Sequence, residues 1–211
     1  MTIRIMIVDD HAIVREGLRR ILGATPDLIV AGEADDGLAA LSQLEECKPD
    51  VVLVDISMPG MSGIELIGRI HQKNPKIAIL VLSMHKEEQF AVRALKAGAA
   101  GYLTKDCAPE QLAQAIRKVI SGGRFITPEV AEALANVIVP SFVQTPHKQL
   151  SNREFQVFRM LASGKSINDI AQELSLSANT VSTHKSRLMN KLGVENNAGL
   201  VHYAIKHQII Q

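Results

Sequence analysis

Apolar and polar positions alternate between two periods along the first part of the chain, and the alternation predicts an architecture. Apolar runs of strand length occur at Ile3 to Val8, Leu28 to Gly32, Val51 to Val54, Ile77 to Leu82 and Ala100 to Leu103. Between them apolar residues recur at helical spacing, as in Val14, Leu18, Ile21 and Leu22, and again in Leu38, Leu41 and Leu44. Pro109 opens a last amphipathic helix through Leu112, Ile116, Val119 and Ile120, with the proline at the first helical position, where its missing N–H costs nothing. Five strand–helix units in succession predict a doubly wound, five-stranded parallel sheet with helices on both faces. The runs are continuously apolar because such strands are buried on both sides.

Polar residues at the strand ends of this architecture converge on one rim, where open α/β sheets bind ligands. Asp9 and Asp10 follow the first run, Asp55 ends the third before Pro59-Gly60, Ser83 follows the fourth and Lys105 lies just beyond the fifth. Singly, each is an ordinary turn, cap or surface residue. Together they bring three carboxylates, a hydroxyl and an ammonium to one place. Carboxylates so gathered repel one another unless neutralised, and a hard divalent cation with oxygen ligands does so; Mg2+, held by one or two carboxylates with water and phosphate, fits.

The pattern changes after Gly122-Gly123. Thr127-Pro128-Glu129 starts a short helix with Val130, Ala133, Leu134, Val137 and Ile138 on one face, and Pro140 and Pro146 bracket a tether. From Leu150 every stretch reads as helix. Ser151 to Glu154 is a capping box, Ile167 to Leu174 a short helix, Ser175 to Ser177 a turn, and Ala178 to Leu192 a longer helix capped by Ser177. A last helix runs from about Asn197 to Lys206. Short helix, tight turn, longer helix is the outline of a helix-turn-helix fold. The domains are thus predicted at 1–122, 123–146 (linker) and 147–211. On a helical wheel Val181, Leu188 and Leu192 form the inward stripe, while Asn179, Thr183, Ser186, Arg187 and Asn190 point away. A face of amide, hydroxyl and guanidinium groups without a carboxylate suits phosphates and base edges.

Charge sharpens this picture. The formal net charge of +1 hides an asymmetry: residues 1–125 carry 15 Lys and Arg against 16 Asp and Glu, whereas residues 147–211 carry 8 against 4. A positive C-terminal end hints at a polyanionic partner. The two cysteines, Cys47 and Cys107, have neither metal-site nor redox spacing and are expected to be packing residues in a reducing compartment. The N-terminus lacks the features of a signal peptide and no window reaches transmembrane length, so a cytoplasmic location without membrane contact is expected.

The acidic pair, Asp55 followed by Met58 to Gly63, Ser83, and Tyr102 three positions before Lys105 resemble the signature of the response-regulator receiver domain. That resemblance implies a flavodoxin-like strand order and makes Asp55 the acceptor of a phosphoryl group from a sensor histidine kinase. It implies that Asp9, Asp10, Asp55 and the backbone carbonyl of Ser57 hold Mg2+, that Lys105 and Ser83 bind phosphate oxygens, and that Tyr102 takes part in a coupled switch. Residues 147–211 resemble the LuxR-type helix-turn-helix domain through Leu150 to Glu154, Ile167 to Leu174, Ser177 to Val181, His184 and Lys191 to Val194. This second resemblance implies that Ala178 to Leu192 is the recognition helix, with Ser182, Thr183, Lys185 and Ser186 at DNA-facing positions.

The order of the two domains is similar to that of NarL/FixJ-type response regulators. It implies a phosphorylation-controlled transcriptional regulator that binds double-stranded promoter DNA as a homodimer, with RNA polymerase among the candidate partners. Such a protein is not a turnover enzyme; it promotes only its own phosphorylation and dephosphorylation. Candidate dimer surfaces are the receiver helices and the last helix, through Leu200, Tyr203 and Ala204. The competing expectation is a Mg2+-dependent α/β phosphatase-like enzyme using Asp9, Asp10 and Asp55, against which stands the lack of a glycine-rich phosphate loop.

Overall fold

The computed structural model describes residues 2–84, 88–128, 130–131, 134, 146–207 and 209–210. The chain divides into two compact units, Met1–Ala135 and Asn136–Gln211. Among the described residues no helix is long and apolar enough to cross a membrane.

The first unit alternates strand and helix throughout: β1 (Ile3–Val8), α1 (Ala12–Gly23), β2 (Leu28–Ala34), α2 (Gly37–Cys47), β3 (Val51–Asp55), α3 (Gly63–Lys73), β4 (Ala78–Ser83), α4 (Glu88–Ala97), β5 (Gly101–Thr104) and α5 (Pro109–Ile120). All strand pairs are parallel, in the order β2-β1-β3-β4-β5. This is the flavodoxin-like doubly wound order, with the chain reversing direction across the sheet between β1 and β3. The central strands β1, β3 and β4 are buried almost completely, which accounts for their unbroken apolar runs. On one face Ile5, Ile7, Leu53, Leu80 and Leu82 pack against Leu18 and Leu22 of α1 and Leu112, Ile116 and Val119 of α5. Asp36 caps α2 by accepting from the N–H groups of Leu38 and Ala39, and Ser62 caps α3 by accepting from Glu65.

One glycine fixes how the rim is built. A Cβ at Gly63 would lie 2.0 Å from the Asp55 carbonyl oxygen, so only glycine lets α3 begin against the end of β3. The Gly63 N–H donates to the Ile56 carbonyl at 3.1 Å, tying the loop after Asp55 to the first turn of α3.

Past α5 the chain returns to the sheet edge. Phe125 forms a parallel bridge with Gly101, donating to Ala100 O at 3.0 Å and accepting from Tyr102 N at 2.9 Å. The helix predicted from Thr127 shows its first turn: Thr127 Oγ1 accepts from Val130 N at 3.4 Å, and its carbonyl accepts from Ala131 N at 3.0 Å. Of that predicted linker, Ala133, Val137, Ile138 and Pro140 lie outside the described residues. Cys47 is buried against Gly32 and Cys107 is half-buried; both are free thiols, and burial pushes the Cys107 thiol up, away from thiolate reactivity.

The second unit is helical: a short 3-10 turn (Pro146–Gln149), then α6 (Asn152–Ala162), α7 (Ile167–Glu173), α8 (Ala178–Leu192) and α9 (Asn197–Lys206). Both α6 and α7 carry full capping boxes, Ser151 with Glu154 and Ser166 with Asp169. The helix α8 stops at Gly193, whose φ of +67° supplies the left-handed cap. Phe155 and Phe158, 6.3 Å apart and edge to face, fill the centre with Val181, Leu188, Leu192, Leu200 and Ala204.

Of the candidate dimer residues, Leu200 and Ala204 are buried within their own domain, and the half-buried Tyr203 packs its ring on Phe158 and His207. The exposed apolar residue of α9 is Ile205.

Glu154 has a second role that its capping position conceals. It is buried, accepts from Ser151 N at 2.7 Å, and takes the Lys191 ammonium of α8 at 2.6 Å. Burial alone would raise its pKa; the Lys191 and Ser151 hydrogen bonds outweigh that and hold it below the ordinary glutamate value. The folded carboxyl is therefore the stronger acid, and the stability it contributes is complete above its unfolded pKa and lost as pH falls through the lower folded value. Hydrogen exchange of α6 and α8 amides should show this loss beginning below about pH 4. Glu154→Ala should cost about 2 kcal/mol at neutral pH and abolish that acid dependence.

Candidate functional site: an acidic rim with a buried lysine

The carboxyl ends of β1, β3, β4 and β5 bring the rim residues together because parallel strands in register finish side by side. Asp55 is the last residue of β3, and Asp9 and Asp10 follow β1 directly. Asp9 and Asp55 are 2% and 3% exposed, whereas Asp10 keeps 25% of its surface. Two such buried carboxylates demand compensation, and Lys105 provides it. Its Nζ lies 2.6 Å from Asp9 Oδ2 and 2.9 Å from Asp55 Oδ2. The Lys105 backbone N–H donates to Ser83 O at 2.9 Å, so the end of β4 sets where the ammonium emerges.

Electrostatically the site is tense. Burial pushes the Asp55 carboxyl above the ordinary aspartate value; Lys105 opposes this and the neighbouring Asp9 charge adds to it. Burial by itself would lower Lys105, but Asp55 and Asp9 more than offset it and raise the ammonium's pKa. Lys105→Met leaves the carboxylates without this cation, and the receiver unit should lose on the order of 3 kcal/mol in a magnesium-free urea titration followed by amide exchange. An unchanged midpoint would mean that Lys105 is not the compensating charge.

The remaining predicted residues are placed as follows. Ser57 donates its N–H to Asp55 Oδ1 at 3.3 Å, which brings its backbone into the loop beside the carboxylate. Ser83 is fully buried at the end of β4, in register with Thr104. Tyr102 is in register with Val81, two residues before Ser83, so Tyr102 and Ser83 share one face of the sheet; the tyrosine is 5% exposed.

The donor set can be tested against a divalent cation on the carboxylates themselves. Asp10 Oδ1 is buried and accepts no hydrogen bond from the described residues. One ligand atom each from Asp9, Asp10, His11 and Asp55 lies within 4.8 Å of the others. A buried anionic oxygen lacking a donor, next to two more carboxylates, fits a hard cation. His11 was not among the sequence candidates; its only signal was its position immediately after the acidic pair.

In the second unit the outward face of α8 is as the wheel predicted. Asn179, Thr183, Ser186 and Arg187 are exposed, and Ser182 and Lys185 are half-buried. The Thr183 hydroxyl donates back to Asn179 O at 2.9 Å. Lys185 and Arg187 make no ion pair among the described residues, whereas Lys191, on the same helix, is committed to Glu154. His184 is half-buried, its Nδ1 accepts or donates no hydrogen bond among the described residues, and burial with the nearby Arg153 charge lowers its pKa, which suits an uncharged packing residue.

A flavodoxin-order sheet with an acid-and-lysine rim, followed by a helix-turn-helix unit, defines a class: a receiver module coupled to a DNA-binding module. Two family models match the chain accordingly, "Response regulator receiver domain" over residues 5–117 and "Bacterial regulatory proteins, luxR family" over residues 148–204. The chain belongs to the two-component response regulators that carry a LuxR-type domain. It is 38% identical over 206 residues to the response regulator UvrY of Escherichia coli K12, covering 97% of this chain and 94% of that protein. It is equally 38% identical over 209 residues to the response regulator GacA of Pseudomonas aeruginosa, covering 99% and 98%. Among solved structures it resembles RcsB of Salmonella enterica serovar Typhimurium, bound to promoter rprA in the presence of the phosphomimetic BeF3-, with 31% identity, a TM-score of 0.65, and coverage of 96% of this chain and 98% of that one.

Proposed function

We propose that Asp55 is the phosphoacceptor of this response regulator, and that phosphorylation governs how the helix α8 engages promoter DNA. An Asp55 carboxylate oxygen attacks the phosphorus of a phosphohistidine on a sensor histidine kinase; the P–N bond breaks, the imidazole leaves as the neutral base after protonation, and an acyl phosphate remains. Asp9, Asp10, Asp55 and the Ser57 carbonyl would hold Mg2+, which when bound would neutralise the phosphoryl oxygens. Lys105 already bridges the two buried carboxylates and is placed to pair with a phosphate oxygen, with the Ser83 hydroxyl donating to another. The observation that carries this reading is the buried Asp55, Asp9 and Lys105 triad at the ends of β3, β1 and β5.

Phosphate at Asp55 draws Lys105 and Ser83 towards it. Tyr102 lies on the face of Ser83 and packs into the sheet, so a shift of Ser83 changes the space its ring fills. In the second unit, Asn179, Ser182, Thr183, Lys185, Ser186 and Arg187 form the DNA-contacting face. The phosphorylated protein binds paired half-sites as a homodimer, acts on RNA polymerase at the promoter and works in the cytoplasm. The working domains are residues 1–122 and 147–211, with 123–146 as the linker. The chain turns over no external substrate and promotes only its own phosphorylation and dephosphorylation. The phosphatase-like alternative is not favoured, because it leaves the second unit and its luxR-family match without a role.

Acetyl phosphate with Mg2+ should label one residue as a hydroxylamine-sensitive acyl phosphate and tighten promoter binding by on the order of tenfold, about 1.4 kcal/mol. A hydroxylamine-resistant label, or labelled protein with unaltered DNA affinity, would sink the proposal.

A further inference from the structure

We infer that His11 turns the acidic rim into a site that prefers first-row transition-metal dications to Mg2+, through one imidazole nitrogen and two carboxylate oxygens. This inference rests on the reading of the rim as a divalent-cation site and assigns its selectivity to a side chain outside the acidic set.

Most of the rim's carboxylate oxygens are already engaged. Lys105 takes Oδ2 of Asp9 and Oδ2 of Asp55. Asp9 Oδ1 accepts the His11 backbone N–H at 2.9 Å, and the Asp9 carbonyl accepts from Arg15 at 2.7 Å. Asp10 Oδ1 is different: it is buried and receives no hydrogen bond among the described residues, although His11 Nδ1 lies only 2.9 Å away. The two atoms are at hydrogen-bond distance without the alignment of a hydrogen bond. His11 Nδ1 is also 3.4 Å from Asp9 Oδ1.

These separations are what ligands of one ion require. Adjacent ligands about 2.1 Å from an octahedral centre stand about 3.0 Å apart, close to the Nδ1–Oδ1 spacing seen between His11 and Asp10. The backbone makes the arrangement local and repeatable: His11 is the N-cap of α1, in extended conformation at φ −93° and ψ 108°, and its side chain caps nothing. Its ring, 64% exposed, stays at the mouth of the site, where an ion can reach Nδ1 without any rearrangement of the core.

Chemistry then decides which ions gain. Mg2+ prefers oxygen and takes little from an imidazole, whereas Mn2+, Co2+, Ni2+ and Zn2+ bind nitrogen well, in the Irving–Williams order up to nickel. A nitrogen placed beside two carboxylates therefore adds affinity for the transition ions and almost none for Mg2+. The same pocket, through one residue outside the carboxylate set, acquires a preference that an all-oxygen rim lacks.

The test uses the full chain, loaded with Mg2+ or Ni2+ by calorimetric titration and with Mn2+ for pulsed electron paramagnetic resonance. The wild type should show a 14N modulation from a ligated imidazole on bound Mn2+, and His11→Ala should remove it. In the same variant the ratio of Ni2+ to Mg2+ affinity should fall by roughly tenfold or more. Mn2+ bound without nitrogen modulation in the wild type, or an affinity ratio unmoved in His11→Ala, overturns the inference. Acetyl phosphate labelling with Mg2+ separates this from the larger reading: a wild type that labels at Asp55 yet shows no His11 dependence sinks only the inference. A wild type that neither binds Mg2+ nor labels sinks both.

Discussion

Asp55→Asn takes up no measurable phosphoryl group from acetyl phosphate or from a cognate histidine kinase, a loss of at least about a hundredfold. The reason lies in what the carboxylate supplies and the amide does not. A carboxylate oxygen carries the charge and lone pair that attack phosphorus, while the amide oxygen is a poor nucleophile and the amide nitrogen has no available pair. The variant still folds, because the amide oxygen keeps the Lys105 contact, only the long 3.3 Å bond from the Ser57 N–H is given up, and the substitution sheds a charge that burial already disfavours. Phosphate radiolabelling, or an intact-mass gain after acetyl phosphate treatment, reads the result directly. Label at wild-type level would remove Asp55 from the role.

Thr183→Ala combined with Lys185→Ala weakens promoter DNA binding by roughly tenfold or more, and lowers the slope of log affinity against log salt by about one. Lys185 makes no ion pair among the described residues, so its ammonium is available for a phosphate, and its removal takes one released counterion with it. Thr183 is exposed beside it, with an oxygen that already donates to Asn179 O and still has lone pairs to accept. Neither residue belongs to the buried stripe of Val181, Leu188 and Leu192, so the domain should keep its fold and labelling of the receiver should be unaffected. Lys191→Ala is the informative contrast. It loses a cation from the same helix, but that cation is paired with buried Glu154, and its removal shows as instability of the second unit. Unchanged affinity in the double variant, measured at two salt concentrations, would mean that another surface holds the DNA.

The contrast between Lys185 and Lys191 marks where sequence reading stops. Both are basic residues of one amphipathic helix, and net charge counts them equally. Only packing against α6 assigns one to a buried carboxylate and leaves the other without an ion pair among the described residues. The same holds for Leu200 and Ala204, whose helical spacing is compatible with a dimer seam or with a core; burial against Phe158 and its neighbours decides for the core. His11 carried too little signal in one dimension, because a histidine after two acids is commonplace until a distance shows its nitrogen beside an unpartnered oxygen.

What the sequence settled unaided is the part governed by local periodicity and short-range chemistry. Apolar runs buried on both faces named the five strands, capping residues named the helix starts, and the position of acids, hydroxyl and lysine at strand ends named the rim. These follow from side-chain period and backbone hydrogen bonding, which act within a few residues. The tertiary structure alone decided how charges are shared: that Lys105 bridges Asp9 and Asp55, that Glu154 consumes Lys191, and that Asp10 Oδ1 is buried without a hydrogen bond among the described residues. Coulombic pairing and desolvation depend on distance and burial in space, and Asp55 and Lys105, 50 positions apart in the chain, acquire both only when parallel strands end side by side.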